Sequence, residues 1–175
     1  MAMRSGSALA IVATILILSA PVVRAVDDDK DEGDQTAVVK ALPQAKVSLN
    51  QGLQAGAHEG TPISAKFEME DGKLQLSVYT MKADRFSEVG VDPISGKVVN
   101  VEAITEGEDL AAAKAQSDAM KKAKRSLGAV LQEALKVNKG YQAVSVIPSL
   151  KDGHAVAEVA LAKGEELKTV EEKLD

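Results

Sequence analysis

The chain predicts an α+β fold built of two like modules, each a helix packed on a small antiparallel sheet. Three observations carry this reading. A helix-type segment recurs 78 residues apart, as KVSLNQGLQAG from Lys46 and KRSLGAVLQEA from Lys124. After each copy the apolar period changes from that of a helix to that of a strand. An Asp-Gly pair then follows in each copy, at Asp71-Gly72 and Asp152-Gly153, 81 residues apart. Repetition of the whole order points to duplication, with a three-residue insertion in a strand or loop reconciling the two offsets.

The second helix is the clearer one. Leu127, Val130, Leu131, Ala134 and Leu135 form one apolar stripe, with Ser126 placed to cap it. The first copy carries Leu49, Leu53 and Ala57, and its Gly52 and Gly56 predict close approach to a sheet at a cost of about 1 kcal/mol each in helix propensity. Ahead of the second copy, Thr105 and Glu108 stand in capping-box register before an Ala- and Lys-rich stretch, read as a helix connecting the modules.

Ile63, Ala65, Phe67 and Met69 alternate with polar residues, as do Leu74, Leu76 and Val78. Each run is a strand with one face toward a core. Asp71-Gly72 between them reads as a tight primed hairpin turn, because glycine adopts positive φ without a Cβ clash. Asp152-Gly153 leads in the same way into Ala155, Ala157, Val159 and Leu161. Both aspartates are therefore turn residues rather than catalytic acids. Asp92, Pro93 and Gly96 form a further turn, between a strand ending at Val91 and one returning from Lys97 to about Ala103.

The first 25 residues have a charged start, an apolar run from Ala8 to Leu18, and Val23 and Ala25 before a break, the pattern of a cleaved secretory signal. The apolar run is shorter than the roughly 20 residues that span a bilayer. Removing Arg4 and Arg24 takes the formal charge from -5 to -7. Residues 26–40 open with Asp27, Asp28, Asp29, Asp31, Glu32 and Asp34 and read as a solvated, disordered acidic linker. A calcium loop would need a bidentate Glu in fixed register after Gly33, and none is present. The two modules are assigned to 41–104 and, with the connecting helix, 105–175.

The acidic balance excludes a phosphate-backbone partner, so no nucleic acid is expected. The chain has no cysteine, which removes disulfides, thiolate metal sites and cysteine nucleophiles. His58 and His154 are the only histidines and lie far apart in the sequence, and no phosphate loop, nucleophile elbow or zinc-protease motif occurs. No enzyme activity, cofactor or metal is expected.

The stretch from EDGKLQLSVYT through VDPISGKV resembles a PepSY domain. Leu42 to Ile104 follow that pattern throughout, with Val91, Asp92, Gly96 and Lys97 in the closing turn. The second unit lacks that turn. The resemblance implies a secreted or periplasmic protein of tandem PepSY-like modules, without catalytic residues and off the membrane after signal cleavage. It implies a partner that is an envelope peptidase or another exported protein, bound or modulated by it. The alternative reading is a periplasmic protein that binds or buffers small molecules or cations. A partner strand is expected on the second module, whose sheet should be one strand shorter and whose edge is kept soluble by Glu165, Glu166, Glu171 and Glu172.

Amino-terminal sequencing of the exported protein should read from Val26. A chain still beginning MAMRSG would overturn the signal reading.

Overall fold

Serine hydroxyls start the two short helices. In the computed structural model, which describes residues 28–175 and side chains from residue 35, α2 (Leu49–Gly56) follows a complete capping box. The Ser48 hydroxyl accepts from the Gln51 amide at 3.3 Å, and the Gln51 side-chain oxygen accepts from the Ser48 amide at 2.9 Å. Ser126 opens α4 (Leu127–Val137) by accepting from the Ala129 amide at 3.2 Å. Satisfying first-turn amides in this way is worth about 1 kcal/mol per cap. The other helices are α1 (Asp28–Ala41), which runs into a 3-10 turn at Leu42–Gln44, and α3 (Gly107–Lys122). No cap forms at Thr105: α3 begins after Glu106, without a side-chain cap.

Seven strands follow the apolar alternation: β1 (Thr61–Glu70), β2 (Lys73–Lys82), β3 (Arg85–Val91), β4 (Val98–Ile104), β5 (Gln142–Lys151), β6 (His154–Lys163) and β7 (Glu166–Lys173). Gly72 and Gly153 turn at φ of +73° and +82°, with Asp71 and Asp152 also left-handed at +48° and +51°. These are the primed turns that match strand twist. Ala83 and Asp84 make the β2–β3 turn at +48° and +59° without any glycine, so it carried no sequence signal.

The strands form one antiparallel sheet in the order β4-β3-β2-β1-β5-β6-β7. This corrects the expectation of two modules with a small sheet each. The repeats share a sheet because β1 pairs with β5, through Ala65↔Val146 and Lys66↔Ser145. Alternation reports which face of a strand is buried and is silent about its edges, so the junction was not legible. Left apart, each repeat would expose the free edge of a long, apolar strand; joined, the two edges satisfy each other.

A shift of 81 residues maps β1 to β3 onto β5 to β7, so Ala65 pairs with its own counterpart. A bulge at Pro62/Ser64 recurs at Ala143/Ser145. Lys46 and Val47 donate to the Pro93 carbonyl, as Lys124 and Arg125 do to that of Leu174. The three extra residues lie in a helix, since α4 has 11 residues and α2 has 8. A shift of 78 also places α3 on α1: Ala45 donates to the Leu42 carbonyl as Ala123 does to that of Met120. The helix read as a connector is thus the first helix of the second repeat, and it packs mainly on β5. The segment read as an acidic linker is helical from Asp28, and its Val38 and Val39, with Leu42 beyond, are buried.

α2 and α4 cover one face, where Leu49, Leu53, Val130 and Leu131 meet Phe67, Leu76, Val78, Val146 and Val159. On the other face α3 brings Ala113 against Ile63 and Phe86. The β1 bulge turns Ile63 to this second cluster and away from Ala65, against simple alternation. A Cβ on Gly52 would stand 2.8 Å from Leu76 Cγ, and one on Gly56 would stand 2.6 Å from Val78 Cγ1. These glycines allow α2 to touch the sheet.

Gly52→Ala should therefore lower stability by about 1–3 kcal/mol in urea unfolding through overpacking, although Ala is the better helix former. An unchanged or raised midpoint would show that α2 does not rest on Leu76.

Candidate functional site

The turn residues singled out from sequence are spread over the molecule and converge on no common site. Asp71-Gly72 and Asp152-Gly153 cap hairpins in different repeats. Asp92 Oδ1 accepts from the Ile94 and Ser95 amides at 3.2 and 2.6 Å, and the Asp92 carbonyl accepts from Gly96 at 2.8 Å. The Ser95 hydrogen bonds hold the Asp92 carboxyl below its ordinary value. Pro93 passes its carbonyl to Lys46 and Val47, which ties this turn to the entry of α2. His58 lies in the turn after α2; His154 is 73% exposed and 2.7 Å from Asp175 Oδ2.

The sheet face opposite α2 carries a polar network that the sequence reading missed. Lys66 Nζ lies 2.6 Å from Glu68 Oε2 and 5.5 Å from the centre of the Tyr79 ring. The Ser77 hydroxyl donates to Glu88 Oε1 at 2.8 Å and accepts from Gln75 Nε2 at 3.1 Å. All stand on neighbouring strands, since Lys66 is opposite Ser77 and Tyr79 opposite Glu88. Burial disfavours the Lys66 ammonium, but the Glu68 carboxylate outweighs it and the pKa rises. Burial raises the Tyr79 hydroxyl and, opposed by the Ser77 hydrogen bond, the Glu88 carboxyl. Glu68 Oε1 is buried without a hydrogen-bond partner among the described residues. Alternation had marked these positions only as a polar face, and which of them meet depends on strand register. Ser77 is fully buried, so its contact with Glu88 fastens β2 to β3 and presents no nucleophile to solvent.

The two sheet edges differ. In β4, Val98 to Ala103 are all exposed, with Val99 at 61% and Val101 at 47%. The other edge, β7, carries Glu166, Lys168, Glu171, Glu172 and Lys173, and Lys151 pairs with Glu171 at 2.8 Å. Charge of this kind blunts an edge.

No family model, curated protein or solved structure matches the chain. Among the described residues no group of three or more His, Cys, Asp or Glu is arranged to hold a metal, and no helix is long and apolar enough to cross a membrane. The signal segment, residues 1–25, and the start at Val26 lie outside the described residues.

A raised folded pKa at Glu88 means that its stabilising neutral form is lost as pH climbs above the ordinary value of 4.5. Glu88→Gln should match the parent in thermal unfolding below that pH and become the more stable of the two as pH rises to 7. A variant that loses stability at pH 7 would show that the ionised carboxylate is the favoured form.

Proposed function

We propose that this chain is an exported, non-enzymatic binding protein of the PepSY kind, and that it engages an envelope peptidase or another exported protein by accepting an extended segment along β4. The observation that carries the proposal is the exposed β4 edge, with its uncovered valines and no Lys or Pro. Strand addition uses main-chain hydrogen bonds for affinity and alternate side chains for selectivity. It therefore needs none of the convergent side chains that a reaction needs. Val99 and Val101 would meet apolar residues at alternate positions of the incoming strand, while Asn100 and Glu102, themselves hydrogen bonded at 3.1 Å, would meet polar ones.

This reading moves the docking edge expected on the second repeat to the first. The second repeat does have one strand fewer, but its edge strand β7 is charged along both faces. Exchange of a solvated edge for a paired one is favourable where the edge is apolar and unblunted, which describes β4.

With purified envelope peptidases as probes, a complex should bring new amide-exchange protection to Val98–Ile104, and Val101→Lys should weaken binding at least tenfold, about 1.4 kcal/mol. Glu171→Lys on β7 should leave affinity unchanged. Protection confined to β7, or full affinity in Val101→Lys, would overturn the proposal.

A further inference from the structure

The β4 strand reads nearly alike in both directions. From Val98 to Ile104 its order is Val-Val-Asn-Val-Glu-Ala-Ile. Two such strands laid antiparallel and centred on Val101 would set Val98 against Ile104, Val99 against Ala103 and Asn100 against Glu102. Apolar residues then meet apolar ones, and an amide meets a carboxylate, which are the cross-strand pairs that stabilise a sheet. Neighbouring registers lose this match. A shift of one residue sets Val99 or Val101 against Glu102, and a shift of two sets Val98 against Glu102 or Glu102 against itself.

The surroundings of β4 suit a second copy. Val98 to Ala103 are exposed on both faces of the strand, so no described helix stands in the way of an added one. Val101 lies opposite Val89, which is fully buried in the main core. The row Val99, Val101 and Ala103 therefore continues the core face of the sheet past its cover. On the other face the Asn100 side chain lies over Gly90, in the space that a Cβ there would fill. Its amide donates one hydrogen to Glu102 Oε1 at 3.1 Å, and a carboxamide has a second to give. Within the chain, the β1–β5 junction already joins two like strands in this self-complementary way.

We propose that the chain pairs with a second copy of itself along β4, antiparallel and centred on Val101, giving a twofold dimer whose sheet runs through both copies. The same strand serves on each side, so the contact is isologous and closes at two. The outer edge of each copy is then the charged β7. Only seven residues of each copy take part, so the interface is a small one and the dimer exchanges with monomer. The inference rests on the open edge used in the proposed function and adds its regulation: self-pairing fills the edge, and a target segment must displace the second copy.

The test uses the mature chain alone, without a peptidase, so self-pairing and target binding can fail separately. Sedimentation equilibrium should show a dimer that grows with concentration, and amide-exchange protection of Val98–Ile104 should grow with it; neither needs a variant to fold. The chain has no cysteine, so introduced ones report the register. Under oxidised glutathione, Val101→Cys should form a covalent dimer, because its Cα meets its own copy within the roughly 4.4–6.8 Å that a disulfide spans. Val99→Cys and Ala103→Cys each lie about 13 Å from their own copies, so each should stay uncoupled alone and the two should couple when mixed. Asn100→Glu, which sets a carboxylate against Glu102, should weaken the dimer at least tenfold, whereas Asn100→Lys should keep it. A monomer at every concentration up to about 1 mM, protection on β7 in place of β4, or equal coupling at all three cysteines would overturn the proposal.

Discussion

The pairing of β1 with β5 is the constraint on which the rest of the molecule depends. It is short, Ala65 with Val146 and Lys66 with Ser145, yet it sets the symmetry of the whole chain. Because Ala65 and Val146 are repeat counterparts, the junction has the self-complementary geometry of an isologous dimer interface written into one polypeptide. It closes the inner edges of both repeats and leaves only β4 and β7 as outer ones. It also brings the helices of both repeats over one continuous sheet, so that α2 and α4 share a core.

Much of each repeat was legible from chemistry that acts over a few residues. Ser48 and Ser126 announce helix starts because a hydroxyl can satisfy first-turn amides. Asp-Gly announces a hairpin because only a short menu of residues tolerates positive φ. Gly52 and Gly56 announce a close helix–sheet contact, and they rest on Leu76 and Val78. What was hidden depends on distant partners. The β1 bulge sends Ile63 to the opposite face, the Ala83-Asp84 turn uses no glycine, and Thr105 lies too far before α3 to cap it. The acidic stretch at 27–34 looked like solvated chain because its composition outweighed Val38, Val39 and Leu42, whose burial follows from packing against the sheet.

Duplication also shows where the two halves have parted. Some core positions keep their character across the repeat, as Val78 becomes Val159 and Val89 becomes Val170, while others change, as Phe67 becomes Pro148, Leu76 becomes Ala157 and Val91 becomes Glu172. Further departures lie on the polar face of the sheet. Lys66, Glu68 and Tyr79 face Ile147, Ser149 and Ala160 across the repeat, and Ser77, buried against Glu88, faces the exposed Glu158. A fold held by its core leaves such positions free to change, so they are the ones where the halves have acquired different chemistry. Register sustains part of the polar network: Lys66–Tyr79 and Ser77–Glu88 run diagonally across the β1–β2–β3 ladder, whereas Lys66–Glu68 and Gln75–Ser77 join residues two apart on one strand.

The single continuous sheet is tested most directly by nuclear Overhauser contacts across its centre. Backbone contacts are expected from Ala65 to Val146 and from Lys66 to Ser145 in the monomeric chain, alongside those of the β1–β2 and β5–β6 ladders. If the two ladders are present and the central contacts absent, the repeats are separate sheets, and the symmetry described here does not exist.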